Sequence, residues 1–77
     1  MAVRRKAGSG EGVVKWFNAD KGFGFITPAS GDADVFVHAR TVQRSGIFGL
    51  REGQAIRYDL ERDERTGRVS AERVAPA

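Results

Sequence analysis

The sequence predicts an all-β fold, a single small antiparallel barrel of five short strands. Three observations carry this. Five runs of four to eight residues alternate between apolar and polar side chains or are rich in β-branched and aromatic residues. Clusters of Gly, Pro, Asn and Asp separate them at the spacing of turns. No stretch has the 3.6-residue apolar period of an amphipathic helix, so no helical layer is available to cover a sheet.

Residues 1–11 (MAVRRKAGSGE) are polar, Gly-rich and without periodicity, and are expected to form a flexible tail before a domain of residues 12–77. Gly12 to Asn18 is the first strand, with Val14 directed inward, and it ends in the turn signal Asn-Ala-Asp-Lys-Gly. Trp16 and Phe17 are adjacent, so strict alternation sends them to opposite faces; a bulge would bring both to one side. Of the two, Trp16 is the one expected outside, and Phe17 is divided between core and outer face.

The second strand, Gly22 to Thr27, stops at Pro28, and the third runs from Asp34 to His38. Period-2 alternation puts Phe23 and Phe25 on one face and Gly22, Gly24 and Ile26 on the other; Phe36 and His38 oppose Val35 and Val37 in the same way. Ala39 to Gly53 is a long connection with a short helical turn near Arg40 to Gln43, pinned by Val42 and Leu50. Gln54 to Glu61 is a fourth strand with Ile56, Tyr58 and Leu60 inward. Arg62 to Gly67 is a polar turn. Arg68 to Val74 is a fifth strand, irregular because Ala71 and Val74 are three apart.

Composition excludes several classes of function. There is no cysteine and His38 is the one imidazole, so neither a disulfide framework nor a Cys/His metal site is available. A hydrolase would need a nucleophile with a base beside it, and His38 is the sole imidazole to serve. Gly22-x-Gly24-x-x-Thr27 lacks a third glycine and opens no helix, and Gly8-Ser-Gly-Glu-Gly precedes a strand, so no phosphate loop is present. No cofactor, metal or membrane contact is expected, and the chain reads as a cytoplasmic monomer. The net charge of +3 is weak evidence for any partner, since six arginines and six acids balance between Arg51 and Arg73.

The aromatic face is more informative. The barrel interior covers one side of each strand, and nothing left in the chain covers Trp16, Phe23, Phe25 and Phe36 on the other. Unpaired bases stack on such rings at about 1–3 kcal/mol each, while cations follow the phosphates. Lys15, Lys21, Arg40 and Arg44 are placed for that role. The rival reading is a protein-interaction β-barrel that uses the same patch for a partner protein.

Lys21-Gly-Phe-Gly-Phe-Ile and Val35-Phe-Val-His resemble the two ribonucleoprotein motifs of the bacterial cold-shock domain, and Lys15-Trp-Phe-Asn-Ala-Asp-Lys-Gly extends the likeness upstream. The resemblance, from about Gly12 to Val74, implies an oligonucleotide/oligosaccharide-binding (OB) fold that binds single-stranded RNA and DNA with little sequence preference. It further implies an RNA chaperone that melts weak secondary structure, and a transcription antiterminator or regulator. The motifs carry binding roles to Lys15, Trp16, Phe17, Asn18, Lys21, Phe23, Phe25, Asp34, Phe36 and His38. Ala39-Arg40-Thr41 departs from the Phe-Ser-Ala common in the family, and Gly46-Ile47-Phe48 displaces a usual aromatic by one residue. Arg40, by guanidinium stacking, and Phe48 are the candidates to compensate.

Overall fold

The computed structural model describes residues 4–77. Its elements are β1 (Arg4–Asn18), β2 (Phe23–Pro28), β3 (Val35–His38), α1 (Ala39–Arg44), β4 (Ala55–Asp63) and β5 (Val69–Pro76). The strands close into a barrel in the order β1-β2-β3-β5-β4. An odd number of strands cannot alternate in direction all the way around a closed ring, so one junction must be parallel. It falls between β3 and β5, at the pair Phe36 and Ser70, and the other four junctions of the expected five-stranded barrel are antiparallel.

Alternation builds the core as the sequence predicts. Val14, Ile26, Val35, Val37, Ile56, Tyr58, Ala71 and Val74 are buried, and Val42 and Leu50 pin the long connection to them. Leu60 and Phe17 pack against this cluster from half-buried positions. The six-residue α1 packs against β3 and β5 with Thr41 and Val42 buried. Ser45, just past it, accepts the Val74 N–H at 3.1 Å through Oγ and so ties the helix end to β5. The irregularity expected in β5 is a register shift: Asp59 pairs with Arg73 and Leu60 with Ala71, which leaves Glu72 as the extra residue.

The N-terminal segment differs from expectation. Residues 4–11, expected within a flexible tail, form the first half of β1 and pair with β4 from Arg4↔Asp63 to Glu11↔Arg57. Their polarity does not prevent this, because the pairing consists of backbone hydrogen bonds on a wet edge and needs no apolar side chains. Arg5 also forms an ion pair with Glu64. The rest of the expected tail, residues 1–3, lies outside the described residues. No helix among the described residues is long and apolar enough to cross a membrane.

Candidate functional site

The register of β1, β2 and β3 sorts their side chains into rows. Trp16, Phe25 and Phe36 are partners across the three strands, as are Asn18, Phe23 and His38. Between them run the inward partners Phe17, Gly24 and Val37, and beyond these Val14, Ile26 and Val35. A register shift between Val14 and Trp16 makes Lys15 a bulge residue. Without it Trp16 would share the inward phase of Val14; with it Trp16 faces out and Phe17 in. The bulge therefore reverses the phase of the pair and does not bring both rings to one side.

Gly24 makes the rows possible. A Cβ there would stand 2.3 Å from the Trp16 carbonyl oxygen and 2.7 Å from the Phe17 Cα, both backbone atoms that cannot step aside. Its absence lets β1 and β2 cross closely enough for their outer rings to touch. Gly22 has a φ of +84°, the left-handed turn conformation that ends the β1–β2 loop.

Four rings meet on the outer wall. Trp16 lies 5.5 Å from Phe23 and 5.4 Å from Phe25, both edge-on. Phe36 stacks on Phe23 and meets Phe25 edge-on, each with centroids 5.7 Å apart. Each ring is half-buried because the four shield one another's edges. The Arg68 guanidinium lies over the Phe36 ring, 5.9 Å from its centroid.

The polar candidates divide into two kinds. Lys21 is exposed beside the rows, whereas Lys15 Nζ is held by Asp34 Oδ2 at 2.9 Å. The Asn18 carboxamide accepts the Lys21 N–H at 2.9 Å and so stabilises the turn. His38 is the N-cap of α1: its Nδ1 accepts the Arg40 N–H at 3.0 Å, so the neutral ring carries its proton on Nε2. Arg40 and Arg44 line a cleft with Phe36 and His38.

Two candidates lie elsewhere. Phe17 belongs to the core side, and Phe48 is fully exposed, outside the ring pairs of the described residues. Ile47, in the place of a usual aromatic, packs against the core instead. Arg68, which the sequence places at the start of the fifth strand and not among the site candidates, joins the site here. Its place over Phe36 follows from closure of the barrel between β3 and β5, for which the local sequence has no signal. No group of three or more metal-ligating side chains occurs among the described residues.

The chain is similar to known proteins over most of its length. The family model described as the 'Cold-shock' DNA-binding domain matches residues 10–77. A probable cold shock protein of Sinorhizobium fredii is 54% identical over 63 residues, which is 82% of this chain and 91% of that protein. Cold shock protein CspA of Rhizobium meliloti is 53% identical over 66 residues, 86% of this chain and 96% of that protein. Cold shock-like protein CspG of Escherichia coli is 52% identical over 54 residues, 70% of this chain and 77% of its own length.

Proposed function

Because the chain belongs to the cold-shock domain family, whose members are nucleic-acid-binding and non-enzymatic, we propose that it binds single-stranded RNA and DNA with low sequence selectivity as a cytoplasmic monomer. The observation that carries this reading is the contiguous outer cluster of Trp16, Phe23, Phe25 and Phe36. A duplex hides the faces of its bases, so rings that stack on base faces select unpaired strands. Every base has such a face, so stacking discriminates little among sequences. Lys21 supplies charge toward the phosphates, and Lys15 supplies less because Asp34 competes for it.

Melting follows by mass action. A ligand that binds only the open state at 100 times its Kd shifts the equilibrium by about 2.7 kcal/mol. A base-pair step is worth about 1.4 kcal/mol, so one bound protein offsets about two steps. Such a protein opens weak hairpins and leaves long duplexes intact, as an RNA chaperone or an antiterminator acting on marginal stems requires.

The test is a titration of oligo(dT) followed by Trp16 fluorescence. Salt-dependent quenching is expected for the wild type, and Phe25→Ala with Phe36→Ala is expected to lower affinity by tenfold or more. An unchanged affinity in a folded double variant overturns the reading. No response from the wild type points to a protein partner for the same patch.

A further inference from the structure

The outer row Trp16–Phe25–Phe36 ends at the seam where β3 meets β5, and Arg68 stands immediately beyond it. From there an open groove of about 1150 Å³ runs between the N-terminal half of β1, the β2–β3 loop and the β4–β5 hairpin. Phe23, Phe25 and Phe36 are part of its lining, so the groove is continuous with the aromatic face. Its volume exceeds the about 300–1,000 Å³ of ordinary small-molecule sites, which leaves room for more than one nucleotide.

The lining has the polarity of a nucleotide. Arg62 and Arg68 stand on the hairpin side, Asp32 and Asp34 on the loop side and Glu11 on β1, with Tyr58 and Leu60 also in the lining. Guanidinium groups on one lip suit phosphates, and carboxylates on the other accept hydrogen bonds from base amino groups. A uniformly anionic ligand would be repelled by the second lip. The walls are built in advance: pairing of β1 with β4 from Arg4 to Glu11, and the Arg5–Glu64 ion pair, hold the N-terminal half of β1 on the hairpin side.

We propose that a bound single strand continues past Phe36 into this groove, with one base held between the Phe36 ring and the Arg68 guanidinium and the next phosphate met by Arg62. The inference rests on the single-strand reading above and extends its track. Holding a base on both faces needs two stacking layers of about 3.4 Å, so the guanidinium, now 5.9 Å from the ring centroid, must lift by about 1 Å. An exposed arginine side chain makes that movement easily.

The experiment compares two oligo(dT) lengths, about 4 nucleotides, enough for the ring rows, and about 9, enough to enter the groove. Wild-type protein is expected to bind the longer one more tightly. Arg62→Ala is expected to weaken the longer oligonucleotide several-fold and leave the shorter within about twofold, because Arg62 lies beyond the rings. Arg68→Ala is expected to weaken both. With both replaced, the salt slope for the longer one falls by about 0.7, the one phosphate contact made by Arg62, since Arg68 meets a base. Arg57→Ala with Arg73→Ala removes equal charge from outside this groove and is expected to alter neither the length dependence nor the Arg62 effect. An Arg62→Ala effect that is absent, or equal at both lengths, overturns the groove while the rings stand. Failure of wild-type protein to bind either length overturns the single-strand reading and this inference with it.

Discussion

Lys15 Nζ and Asp34 Oδ2 lie 2.9 Å apart, an ion pair between the bulge residue of β1 and the residue that precedes β3. Both are exposed, so the pair adds little to stability. Its consequence is for binding: a phosphate that recruits Lys15 must first separate it from Asp34. A full phosphate contact with a single strand contributes about 0.7 to the slope of log K against log salt. Lys21→Ala is therefore expected to lower the slope by about 0.7, and Lys15→Ala by clearly less. Titrations of oligo(dT) across a salt series measure both, and equal drops would mean that the ion pair opens completely in the complex.

Phe17 and Phe25 are expected to respond in opposite ways, although both are half-buried phenylalanines of neighbouring strands. Phe17 packs against the core, and its truncation is expected to cost about 2–3 kcal/mol of stability, below the about 3–5 of a fully buried Phe. Binding by the molecules that remain folded should be nearly unchanged. Phe25→Ala removes edge-on contacts with Trp16 and Phe36 at about 1 kcal/mol of stability and about 1–3 kcal/mol of binding. Urea unfolding and single-strand titration of the two variants separate the roles.

The difference between these two residues marks what the sequence reveals. Alternation identifies the strands and assigns Phe23, Phe25 and Phe36 to one face, because period 2 is a property of the local backbone. The phase of Trp16 against Phe17 depends on the bulge at Lys15, which the adjacent aromatics suggest and only the β1–β2 register decides. Residues 4–11 carry no apolar pattern, so nothing local marks them as a strand; their partner is the far half of β4. Arg68 is the extreme case, since its neighbour Phe36 is distant in sequence and the two meet only on closure of the barrel.

Gly24→Ala tests the crossing of β1 and β2. The new methyl would stand 2.3 Å from the Trp16 carbonyl oxygen, so the two strands must separate. Overpacking of this kind costs about 1–3 kcal/mol, and with backbone atoms as the obstacle the upper end is expected. The displacement also moves Trp16 relative to Phe25, so single-strand affinity is expected to fall with stability. Denaturant unfolding and the fluorescence titration report the two losses, and a stable variant with intact binding would show that the crossing has slack.

Tyr58 links stability to pH at the alkaline end. Burial, reinforced by the Asp32 carboxylate, raises its phenol above the usual value of 10.0. The ring is 5% exposed and lies beside Gly10, so the folded state resists the phenolate. Below pH 10 the phenol is protonated in both folded and unfolded chains, and its contribution to stability is complete. Above 10 the unfolded chain loses the proton first, so stability falls until the folded phenol also ionises. Unfolding curves collected from pH 8 to 11 are expected to show this loss in the wild type and a smaller one in Tyr58→Phe. Parallel curves for Asp32→Asn should fall between the two, because that substitution removes the charge and leaves the burial.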